Sequence, residues 1–129
     1  MRCVLVVDDE MDIAALFQQR FRSDITAGII SFVFAHSGEE ALACYEARQL
    51  DIVLILSDIA MPGMSGLELL QRLKTRWPAL PVVMVSAYGA DKELVARELG
   101  ADDFVSKPID FEELRAMILS NYLRSEPNA

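Results

Sequence analysis

Residues 52–85 read IVLILSDIAMPGMSGLELLQRLKTRWPALPVVMV, and this stretch decides the architecture. It opens on an apolar run, Ile52 to Leu56, and closes on another, Pro81 to Val85; both are too short for a helix and rich in β-branched residues. Between them Leu67, Leu70 and Leu73 share one helical face. Ser65 precedes that face as an N-cap acceptor, with Glu68 three residues on, and Trp77-Pro78 marks the turn that ends it. Two strands separated by a single helix run parallel with a right-handed crossover.

The same alternation continues in both directions. Toward the N-terminus, Cys3 to Val7 and Ile29 to Ala35 read as strands, and Ile13, Leu16, Phe17 and Phe21 line one face of the helix between them. Ser37 with Glu40 opens the next helix. Toward the C-terminus, a helix over Leu94 to Leu99 closes at Gly100, where a left-handed backbone costs least. A weak strand at Phe104 and Val105 follows, then a helix capped by Asp110 with Glu113 and striped by Leu114, Met117, Ile118 and Tyr122. The predicted fold is α/β, a doubly wound (βα)5 sandwich with five parallel strands and helices on both faces. The expected domain is residues 1–124, with 125–129 as a tail or linker stub.

Of the 129 residues 53% are hydrophobic and 25% charged, enough for a core without disulfide or metal staples, which excludes a disordered or fibrous chain. Twelve Lys and Arg against 20 Asp and Glu leave a net charge of -8, which argues against nucleic acid as a direct ligand. Cys3 and Cys44 are too few for a disulfide scaffold and fit a reducing cytoplasm. No run approaches the roughly 20 apolar residues of a membrane span, and the start has no signal-peptide pattern, so a soluble cytoplasmic protein without membrane contact is expected.

In doubly wound sheets ligands gather beyond the carboxyl ends of the strands. Asp8 and Asp9 stand there after the first strand, Asp58 after the third, Ser86 after the fourth and Lys107 with Pro108 after the fifth. Three carboxylates about 5 Å apart would repel by roughly 3 kcal/mol per pair at an effective dielectric near 20, which calls for a cation or a raised pKa. An all-oxygen set without histidine or cysteine suits Mg²⁺ or Mn²⁺ and excludes a structural zinc site. With Asp8 and Asp9 on the metal, Asp58 has an oxygen free to attack phosphorus, and Lys107 and the Ser86 hydroxyl can meet the phosphoryl oxygens. An acidic pair alone is an ordinary exposed turn; the register with Asp58, Ser86 and Lys107 gives it meaning. His36 reads as a surface or capping residue, and the six Met as core filler.

These residues resemble the receiver domains of two-component response regulators over nearly the whole chain. Val6-Val7-Asp8-Asp9-Glu10 is similar to that family's acidic pair, Ser57 to Gly66 to its phosphoacceptor loop, Ser86-Ala87-Tyr88 to its hydroxyl switch and Lys107-Pro108 to its lysine. The resemblance implies a flavodoxin-like strand order 2-1-3-4-5 and a phosphoryl group passing from the phosphohistidine of a sensor histidine kinase, or from a phosphotransfer protein, to Asp58. The implied metal ligands are Asp9, Asp58 and the backbone carbonyl of Ala60, with Asp8 acting through water. Phe104 is similar to the family's switching aromatic, although alone it reads as a packed strand residue. The implied output face joins residues 92–99 to residues 104–123, where a partner, a second copy or an output domain would dock. The resemblance further implies a cis Lys107-Pro108 bond and a shielding role for Tyr88. The stretch from Ser23 to Ile30 looks longer than the family's.

Competing readings are a flavodoxin-like electron carrier, whose flavin phosphate Asp8-Asp9-Glu10 would repel, and an aspartyl phosphatase or phosphotransferase, whose carboxylates usually follow an Asp-x-Asp pattern. A receiver that binds partners without being phosphorylated is a third.

Overall fold

Every residue of β1 (Cys3–Val7) is buried, as two-sided coverage requires of a central parallel strand. The computed structural model describes residues 2–87 and 90–123. In it β1 pairs in parallel with β2 (Ser31–Ala35) on one side and β3 (Ile52–Asp58) on the other. β4 (Val82–Ser86) and β5 (Asp103–Ser106) complete a five-stranded sheet of order β2-β1-β3-β4-β5. The expected fold class and order are therefore observed.

Alternating side chains along each strand feed two separate cores. On one face Leu5, Val7, Ile55 and Met84 pack under Ala41, Tyr45, Leu69, Leu70 and Leu73, which belong to α3 (Gly38–Ala47) and α4 (Gly66–Arg76). Ala96 of α5 (Ala90–Glu98) joins the same layer. On the other face Val4, Val6, Leu54, Leu56 and Val83 meet Phe17 and Phe21 from the N-terminal helical region and Leu114 and Ile118 near the C-terminus. Phe17 lies 5.3 Å from the partly buried Phe111 in an edge-to-face contact; a fully buried side chain such as Phe17 contributes about 1.5–3 kcal/mol.

The N-terminal helical region departs from the predicted pattern. Helix α1 (Ile13–Arg20) stops at Phe21, which also opens a second helix, α2 (Arg22–Thr26). The stretch from Ser23 is thus partly helical, and among the described residues there are six α-helices where five were read. Asp24, only 5% exposed, explains why the extra turn holds. Arg115 of α6 (Phe111–Met117) grips it from 91 residues away, with Nε and Nη2 donating to the two carboxylate oxygens at 2.8 and 2.9 Å. Strand β2 begins at Ser31 and not at Ile29, because the Ile29 amide is spent on the carbonyl of Asp24 within α2.

The caps of Ser37, Ser65 and Asp110 are present, each accepting from the backbone amide three residues on. The reciprocal arms differ from the expected boxes. Glu40 reaches back one residue further to the His36 amide, and Glu68 turns to Arg72. Gly100 closes α5 with φ at 103°, a conformation only glycine adopts cheaply. Helix α6 runs on into a π-helical turn over Ile118–Tyr122, and Arg2 donates to the Leu123 carbonyl just beyond it at 3.0 Å. Among the described residues no helix is long and apolar enough to cross a membrane.

Candidate metal centre

Ladder pairing carries β3 and β4 beyond their apolar runs. Ser57 pairs with Met84 and Asp58 with Val85, so Asp58 and Ser86 are the last residues of their strands. They are held by sheet hydrogen bonds where the sequence suggested they only followed a strand. The amide of Lys107 donates to the Ser86 carbonyl at 2.9 Å, which brings the end of β5 beside the end of β4. The Lys107–Pro108 peptide is cis, as the resemblance implied.

The loop after β3 returns immediately to the sheet. The Gly66 amide donates to the Ile59 carbonyl at 2.8 Å, and a Cβ at Gly66 would overlap the Asp58 carbonyl oxygen. Only glycine lets α4 start this close behind Asp58. Gly66 was legible as part of the loop motif, but its reason, a backbone approach across eight residues, was not.

Asp8, Asp9 and Asp58 each offer a carboxylate oxygen, and these oxygens lie within 4.8 Å of one another. Asp8 and Asp58 are buried, at 4% and 7% exposure, while Asp9 faces out. Lys107 Nζ donates to Asp58 Oδ2 at 3.0 Å and lies 3.8 Å from Asp8 Oδ2. Asp8 Oδ1 accepts from the Glu10 amide at 2.9 Å. The Ala60 amide is 3.4 Å from Asp58 Oδ1, and Ala60 is exposed beside the cluster. Four of the predicted side chains, Asp8, Asp9, Asp58 and Lys107, thus form one constellation, with Ser86 buried on the adjoining strand end. Phe104 stands on β5, half-buried against the α3–α4 core layer. Tyr88 and the tail 125–129 lie outside the described residues.

The electrostatics match an excess of negative charge. Burial raises the Asp8 carboxyl above its ordinary 3.8; the Glu10 amide opposes this, Asp58 adds to it, and Lys107 opposes it. For Lys107 burial pulls the ammonium down, but the hydrogen bond and charge of Asp58, with Asp8 and Glu10, outweigh it and raise the group above 10.5. One ammonium cannot neutralise three carboxylates. Opposite ligands of an octahedral Mg²⁺ stand about 4.2 Å apart, so oxygens within 4.8 Å need little movement to share such an ion, and the donor set is of the hard, all-oxygen kind it prefers.

A family model described as response regulator receiver domain matches residues 4–119. The chain belongs to the response regulator receiver domains. It is 37% identical over 116 residues to the DNA-binding transcriptional regulator NtrC of Salmonella typhimurium, an alignment covering 89% of this chain and 24% of that protein. The receiver therefore spans about a quarter of the length of that relative. Among solved structures it is similar to a receiver domain protein from Clostridium thermocellum, with a TM-score of 0.82 at 25% identity and 92% of both chains covered. It is also similar to TrrA of Thermotoga maritima in complex with Mg(2+)-BeF, with a TM-score of 0.78 at 28% identity, covering 92% of this chain and 97% of that one. Receivers serve phosphorylation-dependent signalling in two-component systems and act as phospho-switches rather than true enzymes.

Proposed function

We propose that this receiver, occupying residues 1–124 of a cytoplasmic protein, accepts a phosphoryl group on Asp58 from the phosphohistidine of a sensor histidine kinase or phosphotransfer protein. The observation that carries the reading is the Lys107 ammonium 3.0 Å from Asp58 Oδ2, beside two further carboxylates. Asp9, Asp58 and the Ala60 carbonyl would hold Mg²⁺ or Mn²⁺, with Asp8 acting through water. The ion, when bound, supplies positive charge against the entering phosphoryl oxygens. In the transfer an Asp58 oxygen forms the new P–O bond as the P–N bond breaks, and the imidazole leaves with that electron pair. Lys107 neutralises a phosphoryl oxygen, and the Ser86 hydroxyl donates to another.

The same contacts make a switch. Moving a two-state surface from 1:99 to 99:1 needs about 5.5 kcal/mol of differential interaction, and charge-assisted bonds from Lys107 and Ser86 to a phosphoryl group are of the right strength. Ser86 and Lys107 are joined through their backbones, and Phe104 lies three residues before Lys107. Rotation of Phe104 would carry the change to the face made by α5, β5 and α6, which then controls a partner, a second copy or an output domain. The net charge of -8 makes direct nucleic-acid contact by the receiver itself unfavourable.

Incubation with Mg²⁺ and acetyl phosphate tests the reading. Intact mass should show one added phosphoryl group on the wild type and none on Asp58→Ala. Equal labelling of the two proteins, or none of either, defeats it.

A further inference from the structure

The Asp8–Asp9 peptide is held by a side chain that the phosphoryl chemistry does not use. The Asp8 amide donates to the Ala35 carbonyl at 3.0 Å, as a continuation of the β1–β2 ladder. Its carbonyl oxygen lies 3.0 Å from Nδ1 of His36. A carbonyl oxygen can only accept, so Nδ1 must carry the hydrogen. His36 is itself anchored, because its amide donates to Glu40 Oε1 at 3.0 Å while Ser37 caps the start of α3. The chain of contacts therefore runs from the first turn of α3, through the imidazole, to the peptide unit that aims Asp9. Asp9 is the exposed member of the carboxylate cluster, and burial gives it the least help in keeping its direction.

We propose that His36 is a positioning residue of the acid pocket: its Nδ1–H fixes the Asp8–Asp9 peptide so that the Asp9 carboxylate faces the cation position. This rests on the reading of the pocket as a metal centre. Groups that orient first ligands without touching the ion commonly change metal affinity by about 10- to 100-fold when removed. His36 neither binds the ion nor carries phosphate in this arrangement; it donates one hydrogen bond to a backbone oxygen.

Side-chain geometry supplies the test. The amide nitrogen of an asparagine sits at the place of Nδ1, whereas that of a glutamine reaches the place of Nε2. Mg²⁺ dissociation constants measured by isothermal titration calorimetry on wild type, His36→Leu, His36→Asn and His36→Gln should show about tenfold weaker binding for Leu and Gln. Asn should stay within about twofold of wild type, having kept the donor. Should the Leu variant fail to fold, the Asn and Gln pair decides alone. Equal affinity in Asn and Gln, or wild-type affinity in Leu, overturns the inference while leaving the metal centre standing. A wild type that takes up no Mg²⁺ defeats the metal reading itself and this inference with it.

Discussion

Both ends of the sheet carry a lysine bonded to an aspartate, and the two pairs live in opposite surroundings. At the amino end Lys74 Nζ donates to Asp102 Oδ2 at 2.8 Å and to the Leu80 carbonyl at 2.6 Å, and the same Asp102 oxygen accepts from the Val82 amide at 2.8 Å. One cation, one anion and two backbone groups satisfy each other, and the result joins α4 to the starts of β4 and β5. At the carboxyl end Lys107 faces Asp58 and Asp8 with Asp9 close by. The bond type is the same, but negative charge is left over, and burial of Asp8 and Asp58 makes the surplus costly. A balanced pair fastens elements together, whereas an unbalanced one is completed by something the chain does not contain.

The comparison is sharpened most by removing each lysine. Lys107→Met should lower the unfolding free energy by about 3 kcal/mol in urea titrations with EDTA, since it strands two buried carboxylates. Saturating Mg²⁺ should close most of that deficit by replacing the lost charge. Lys74→Met should cost less, about 1.5 kcal/mol, because Asp102 is 39% exposed and remains solvated, and Mg²⁺ should not change that loss. Equal responses of the two variants to Mg²⁺ would erase the distinction between the rims.

Wild-type stability gives the next effect. Mg²⁺ at about a hundred times its dissociation constant should add about 2.7 kcal/mol, and the gain should vanish in the double variant Asp9→Asn, Asp58→Asn. The smallest effect is in the pH dependence without metal. The Asp8 carboxyl is raised above 3.8, so the folded chain holds this proton more tightly than the unfolded one. Its contribution is therefore fully present below 3.8 and is lost as pH rises through the raised native value. Asp8→Asn should be more stable than wild type at pH 7 in EDTA and should lack that falling segment. A variant with the same slope as wild type would show that Asp8 is not where the surplus charge is felt.

Much of this was legible because it is local or repetitive. Apolar runs located β1 to its exact residues and β3, β4 and β5 to within two, and three caps were read from single side chains whose acceptors bond three residues on. The rim residues were found because a parallel sheet sends every strand end to the same side. The unread features share a different cause. Asp24 looks like any surface acid until Arg115, 91 residues later, encloses it, and the α2 turn it supports has too few residues for a periodic signal. His36 looked like a cap neighbour, and its bond to the Asp8 carbonyl exists only because β2 lies beside β1.

By itself, then, the order of residues determined the alternation of strand and helix, the sidedness of each element and the set of groups delivered to the carboxyl rim, since these follow from periodicity and chain direction. Tertiary structure alone decided which acids are paired and which are left in excess, how close Gly66 brings α4 to the Asp58 carbonyl, and which imidazole holds the peptide between the first two aspartates. Those are distances between segments far apart along the chain, and a distance of 3 Å is set by the packing of whole layers.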